Sequence, residues 1–411
     1  NSVSDAAEQQ FGGWMKQTYE MGDKVQRTAI DLMFLKPPSM DSSALMRMAD
    51  EMKSGAFFQF AVNYMAPPMA WVDGLRVSAI DKSATQHEFA NKLYIISLVT
   101  QVEHQLGLAD SAHTPLAEIV ERARKLESFP RLWAVEGIGN WYTERAWDKA
   151  NGADPVNVLT DDAAAGIPAW SLTMLNAGIG MSFANRLLKK LGDTPTADQV
   201  AEAVTRFERL CRDSASPGYA GAALESLGLA TRTLYPNLVM PIHQDLERSH
   251  PDLVAYFWHG AGRATYFDPM TMLPSSNAPW SALDRIVKDA PSDLARLNMI
   301  SGLSWAITVV NMRHPEVMES FLRHHAESLR ANGAFHNGMT SALLMRYDTS
   351  YDDPFIHPFF LHEPAADDTV LVSAWKSMIA EPAEFALTTT YRQLREANQL
   401  EELFRYVPAT A

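Results

Sequence analysis

Residues 136–141 read Glu-Gly-Ile-Gly-Asn-Trp, and this pairing of two small residues two positions apart returns along the chain. The later copies are Ala177-GIGMS, Glu225-SLGLA, His259-GAGRA, Ser301-GLSWA and Asn337-GMTSA. Their first small residues stand at 137, 178, 226, 260, 302 and 338, a spacing of about 40 residues. That spacing is typical of a repeating pair of helices.

Amphipathic helices are predicted between these copies. Their starts are indicated by Thr114-Pro115, by Thr196 with Gln199 as a capping box, by Ser281 with Asp284, and by Pro315. Apolar residues follow at helical spacing at 116, 119, 120, 123 and 126, at 200, 204, 207 and 211, and at 317, 318, 321, 322 and 329. Residues 71–77 are the one segment whose sequence is compatible with β-strands, as a short hairpin.

We therefore expect an almost all-α fold of about six helical hairpins, either closed into a toroid or open as a solenoid. The expected organisation has three parts. They are an N-terminal helical cap region over residues 1–110, a helical-repeat domain over 111–350, and a C-terminal loop and helical tail over 351–411.

The amino-acid composition excludes several classes of protein. Of the 411 residues, 47% are hydrophobic and 20% are charged, which is a globular composition. The net charge of −14 disfavours nucleic acid as a partner. The single cysteine, Cys211, excludes an internal disulfide framework, and its place on an apolar stripe indicates a buried, inert thiol. No membrane span and no signal peptide are expected, so we expect a cytoplasmic protein.

The repeated small residues need a physical reason, because glycine inside a helix costs up to about 1 kcal/mol relative to alanine. One interpretation is that they let neighbouring helix backbones approach closely. The other is that they line a cavity and leave room for a ligand. The two interpretations are compatible if these helices form the inner ring of a toroid.

Several segments resemble a known family. The segments LWAVEGIGNW, MLNAGIGMSFANRL, GYAGAALESLGLATRTLY and PDLVAYFWHGAGRATYF occur in this order between residues 132 and 267. They resemble an uncharacterised all-helical family found beside enediyne polyketide synthases in natural-product gene clusters. The resemblance covers about residues 130–345, and it implies a role in secondary metabolism without supplying a reaction.

Polar residues directly precede the small positions in five of the six copies, so a ring would present them to one centre. We predict Glu136, Glu225 and His259 as catalytic acid–base residues, because buried carboxylates acquire raised pKa values and histidine exchanges protons near neutral pH. We predict substrate-binding roles for Arg263, Trp141, Trp258, Trp305 and Asn337. The competing interpretation is that these are helix-end groups or satisfied core residues.

The predicted function is cyclisation or isomerisation of a polyketide- or isoprenoid-like substrate by acid–base catalysis in a central apolar cavity. Two alternatives stay open: a non-catalytic helical-repeat scaffold for a partner protein, and a metal-dependent oxygenase. The oxygenase would use Asp352, Asp353, His357, His362 and Glu363. We expect no metal and no cofactor, because the segment is broken by prolines and matches no metal motif. The expected partner is a small apolar molecule, and self-association into a homo-oligomer is left open.

Overall fold

The computed structural model describes residues 102–108, 114–161, 165–192, 194–267 and 278–408, and nine helical positions between 84 and 99. The described residues form helices and no strand. The α-helices are α1 Val102–Gln105, α2 Leu116–Ala123, α3 Ser128–Lys149, α4 Leu172–Leu188, α5 Ala197–Ser214, α6 Ala220–Leu234, α7 Val239–Ser249, α8 Val254–Tyr266, α9 Ala278–Asp289, α10 Asp293–Asn311, α11 Pro315–Leu329, α12 Ala334–Thr349 and α13 Ile356–Phe360.

The chain ends in a long helical run. Its α-helical parts α14 Thr369–Trp375, α15 Glu381–Phe385 and α16 Tyr391–Glu396 alternate with the π-helical segments Lys376–Ala380 and Ala386–Thr390. Short 3₁₀ segments occur at Ala169–Ser171, Pro236–Leu238, Pro251–Leu253 and Leu400–Phe404. The all-helical class expected from the sequence is therefore confirmed for the described residues. None of their helices is long and apolar enough to cross a membrane.

Six helices carry the repeated small residues, and we call α3, α4, α6, α8, α10 and α12 the glycine helices. Each glycine helix packs against the next one in this series. A methyl group added to the glycine of one helix would collide with a backbone carbonyl oxygen of the helix before it. The pairs are Gly178 with Glu136, Gly260 with Glu225, Gly302 with His259, and Gly338 with Ser301.

The same contact extends to the two remaining copies. The Ser226 hydroxyl donates to the carbonyl of Ala177 at 3.1 Å. A methyl group on Gly137 would lie 2.8 Å from the carbonyl oxygen of Val99, which precedes α1. The close-packing interpretation of these small residues is thus confirmed: they stand where helix backbones touch.

The flanking helices follow the amphipathic pattern. Thr196 and Gln199 form the reciprocal capping box that starts α5, and α11 begins at Pro315. The α5 stripe, which includes Phe207 and Cys211, is buried, and burial raises the pKa of the Cys211 thiol well above its usual value.

Two predicted helix starts are wrong. Thr114 does not cap α2, because Pro115 holds the N-cap position with no side-chain cap bond. Ser281 lies inside α9, which already begins at Ala278. The hairpin predicted over residues 71–77 and most of the cap region over 1–110 lie outside the described residues.

We predict that Gly178→Leu and Gly260→Leu each lower the free energy of unfolding by at least about 1–3 kcal/mol, because the new side chain meets backbone that cannot rotate away. Urea denaturation measures the change. Glu202→Leu is the control, since the Glu202 side chain is 72% exposed on α5. An unchanged midpoint in both glycine variants would contradict the close contact.

Candidate functional site

Four polar side chains from three glycine helices meet in the interior. Arg263 of α8 donates to Glu225 of α6 at 3.1 Å through Nη1 and to Glu136 of α3 at 3.0 Å through Nη2. Nδ1 of His259, also on α8, lies 2.8 Å from Oε1 of Glu225. We call these four residues the central cluster. It contains all three predicted acid–base residues and the predicted substrate-binding Arg263.

The local sequence explains why these side chains converge. Glu225 and His259 each stand one position before a small residue, so they occupy equivalent places on two helices whose backbones touch. Arg263 follows His259 by four positions, which puts both on one face of α8. The contact of Gly260 with the Glu225 carbonyl thus brings the side chains of His259 and Glu225 together.

The central cluster is shielded from solvent. Glu225 and His259 are fully buried, and Arg263 and Glu136 are 3% and 4% exposed. An unpaired charge at such a depth is costly, so buried charges occur with partners. Arg263 supplies a guanidinium between two carboxyl groups, and this arrangement lets ionic groups exist in the interior.

The two carboxyl groups differ in pKa. Burial alone would raise the pKa of Glu225, but Arg263 and His259 together lower it below its usual value. Burial raises the pKa of Glu136, and its attraction to Arg263 offsets only part of that effect. Burial works against the charge of Arg263, but Glu136 and Glu225 raise its pKa. Glu225 is therefore the ionised carboxylate, and Glu136 is the group more ready to hold a proton.

Several polar atoms of this region lack a partner among the described residues. They are Nε2 of His259, Nε of Arg263 and Nε1 of Trp305, all buried. The Trp305 ring lies 4.7 Å from the Arg263 guanidinium, so this predicted substrate-binding residue lies beside the central cluster. Buried polar atoms without partners are uncommon in native proteins, and they often mark a site for water or a ligand.

The other predicted substrate-binding residues lie elsewhere. Trp258 donates to Nδ1 of His243 on α7 at 3.3 Å. Trp141 packs against Arg145, 4.4 Å from its ring. Asn337 accepts a hydrogen bond from Ser301 at 2.7 Å. Within the described part of the chain, none of these contacts involves the central cluster, and their roles toward a substrate stay predictions.

A second buried polar cluster was not predicted from the sequence. Lys92 pairs with Glu88 at 3.2 Å, and its Nζ lies 3.7 Å from the centre of the Tyr266 ring. The Tyr266 hydroxyl accepts from Asn311 at 2.8 Å. Tyr266 follows Arg263 by three positions on α8, so this cluster lies one helical turn from the central cluster. The one sequence feature that indicates this cluster is the i,i+4 pair of Glu88 and Lys92, and such pairs are common on helices.

The residues of the oxygenase alternative are dispersed. Asp353 pairs with Arg346, Asp352 lies 3.8 Å from Arg131, and His362 contacts Glu319 at 2.6 Å. Among the described residues, these side chains do not bring three potential metal ligands close together. His87, His314 and Glu316 do, since one possible ligand atom of each lies within 4.8 Å of the others. There, despite burial, hydrogen bonds from both histidines and the backbone lower the pKa of Glu316 to about 2. The two imidazoles stack at 4.0 Å between centroids, and Nδ1 of His87 lies 2.5 Å from the Glu316 carboxylate.

We predict unequal losses of stability for the two isosteric variants of the central cluster. Glu225→Gln removes the ionised partner of Arg263 and His259, so it should cost about 3–5 kcal/mol of unfolding free energy. Glu136→Gln should cost much less, because an amide resembles the protonated acid. Denaturation curves at neutral pH test this, with Glu118→Gln at an exposed position of α2 as control. Equal losses in the two variants would overturn the assignment.

The raised pKa of Glu136 also predicts a pH dependence. A folded-state pKa above the unfolded value means that the unfolded chain loses this proton first as pH rises. The wild type should therefore lose stability relative to Glu136→Gln as pH rises from about 4.5, the usual pKa of a glutamate, through the raised pKa. Denaturation of both proteins across this range measures the difference, and a flat or opposite trend would contradict the prediction.

Comparison of the chain with protein-family models, with curated proteins and with solved structures gave no match. A proposed function therefore rests on the central cluster and the residues around it.

Proposed function

We propose that the glycine helices close into a ring and that the protein is a cytoplasmic enzyme of natural-product biosynthesis. It promotes cyclisation or isomerisation of an apolar, polyketide- or isoprenoid-like molecule by acid–base catalysis at the central cluster. The observation that carries this proposal is the convergence of Glu136, Glu225 and His259 on Arg263.

Contacts of the last glycine helix, α12, with the first two, α3 and α4, support the closed arrangement. Thr173, at the start of α4, donates to Asp348 near the end of α12 at 3.3 Å. The Arg346 guanidinium of α12 lies 5.7 Å from the ring of Phe129 on α3. In an open solenoid α3 and α12 would be the most distant members of the series.

The convergence also favours an enzyme over a scaffold. Glu136 and Arg263 are 127 positions apart, and two glycine helices lie between α3 and α8 in the series. Along an open ridge these side chains would be separated by the width of those helices, and they could not act on one molecule. Because Glu136 and Arg263 meet at one point, they can act on the same molecule.

The differing pKa directions assign the roles within the proposed site. Ionised Glu225 accepts the hydrogen of His259 Nδ1, which leaves the unpaired Nε2 as the proton acceptor. Glu136, whose pKa burial raises, is the proton donor. Removal of a proton from one carbon by His259 and delivery of a proton to another by Glu136 shifts a double bond in the substrate. The step leaves His259 protonated and Glu136 ionised, and proton exchange with solvent restores both before the next turnover.

The surroundings of the central cluster fit an apolar substrate better than a phosphorylated one. Trp305 stacks against Arg263, and its indole is fully buried. Both carboxyl groups already engage the guanidinium, so Arg263 balances charge within the site instead of presenting a free cation to a phosphate. The proposed substrate is therefore recognised by its shape and apolar surface.

We predict that Glu136→Gln and His259→Gln abolish product formation in the producing cell while the proteins stay folded, since neither amide exchanges a proton at neutral pH. Product levels are measured by mass spectrometry of cell extracts. Glu118→Gln and His357→Gln, both at exposed positions, are the matched controls. Unchanged product levels in both folded variants would sink the acid–base proposal.

Untargeted mass spectrometry of molecules that co-purify with the wild type identifies the substrate class independently. We expect an apolar, unphosphorylated molecule that is also retained by folded Glu136→Gln. Retention of a partner protein alone, broken by charge reversals on the surface, would instead support the scaffold.

A further inference from the structure

Two histidines and one carboxylate meet at the start of α11. His314 is the N-cap residue of α11, and Glu316 lies in its first turn. His87 belongs to the helical positions between 84 and 99 and precedes Glu316 by 229 positions in the chain. Both imidazoles direct Nδ1 to the same oxygen, Oε1 of Glu316, at 2.5 Å from His87 and 3.5 Å from His314. Three potential ligand atoms therefore converge on one point.

These residue types are ligands that zinc prefers. Two histidines and one glutamate form a known zinc ligand set, in which water takes the fourth position of a tetrahedron. Ligand atoms in such a site are about 3.3 Å apart, because each bond to the metal is about 2.0–2.2 Å long. Here one ligand atom of each residue lies within 4.8 Å of the other two, so small side-chain rotations bring all three to a single ion.

The site lies at the surface and needs no enclosed cavity. The side chain of His87 is 43% exposed, and those of His314 and Glu316 are 27% and 26% exposed. A hydrated cation therefore reaches the three ligands directly and keeps one of its waters. The two imidazoles stack at 4.0 Å between centroids. Because the His87 ring is bounded by solvent on one side, it can turn out of the stack and aim Nδ1 at the ion.

The charges around the site are compatible with a cation. The Glu316 carboxylate offsets half of the charge of a divalent ion, and it outweighs the partial positive charge at the start of α11. Arg313 is the neighbouring cation along the chain. Its Nη2 donates to Oδ1 of Asn91 at 3.0 Å, and its guanidinium lies 3.9 Å from the centre of the Phe129 ring. The Arg313 charge is therefore held by groups outside the site.

We propose that His87, His314 and Glu316 bind one Zn²⁺ ion, which joins the helical positions between 84 and 99 to the start of α11. The expectation of no metal rested on the segment between Asp352 and Glu363, whose residues are near one another along the chain. Folding alone brings the ligands of this site together. The site shares no residue with the central cluster, so it does not depend on the acid–base function proposed above.

Isothermal titration of the full chain with zinc chloride, after dialysis against EDTA, tests the site. We expect a single saturable site in the wild type and about tenfold or greater loss of affinity in His87→Ala and in Glu316→Gln, because each change removes one of three ligands. His357→Ala removes an exposed histidine of α13 and is the control, which should bind as the wild type does. Magnesium chloride should not displace the zinc, since Mg²⁺ prefers oxygen ligands.

Thermal unfolding gives a second measurement. An ion that binds only the folded chain raises the unfolding midpoint, so zinc should raise it in the wild type and in His357→Ala and much less in the two ligand variants. Circular dichroism establishes that each variant is folded. If His87→Ala does not fold, His314→Ala replaces it.

Three results would overturn the proposal. They are the lack of saturable zinc binding by the wild type, folded ligand variants that bind zinc as tightly as the wild type, and a loss of affinity in His357→Ala as large as in His87→Ala. None of these results bears on product formation by Glu136→Gln, so failure here and failure of the acid–base proposal are distinguishable.

Discussion

The structure depends on one contact, in which a small residue of one helix meets a backbone carbonyl of the helix before it. Gly260 against Glu225 and Gly302 against His259 are two examples. Side chains cannot adjust such a contact, because both surfaces are backbone. It therefore fixes where each pair of glycine helices touches, and it fixes which residues lie beside that point. The helical pairing is set by the absence of a Cβ atom more than by the identity of any large core residue.

Close helix approach also determines the electrostatics. In five of the six glycine helices the residue before the small position is buried, whether it is polar or not; Asn337 is half-buried. Desolvation of a carboxylate there is expensive, so the fold is compatible with Glu136 and Glu225 only because Arg263 lies within hydrogen-bond distance of both. The Trp305 ring lies 4.7 Å from the Arg263 guanidinium at the same time, so the cation also has an aromatic neighbour. The interior polar groups are thus held by partners from helices far apart in sequence.

Sequence reasoning succeeded where the deciding interaction is local or repeated. The Thr196–Gln199 capping box lies within four residues, and the small-residue repeat recurs often enough to be recognised. It failed for the Ser281 cap, because the same residue types also occur inside helices. It missed the Lys92 cluster, whose partners on α8 and α10 are brought together by folding alone.

The repeat also explains why two identical residues behave differently. Residues before neighbouring small positions face each other across the helix contact: Glu225 meets His259, and Ser301 meets Asn337. Glu136 has Ala177 as its counterpart on the next helix, and a methyl group offers no hydrogen bond. Its partner must therefore come from elsewhere, and Arg263 reaches it from across the interior while also serving Glu225. One shared partner is less than Glu225 receives from Arg263 and His259 together, so burial prevails at Glu136 and its pKa rises. The repeat supplies equivalent positions, and a single departure from it, an alanine at 177, separates a carboxyl group whose pKa is raised from one whose pKa is lowered.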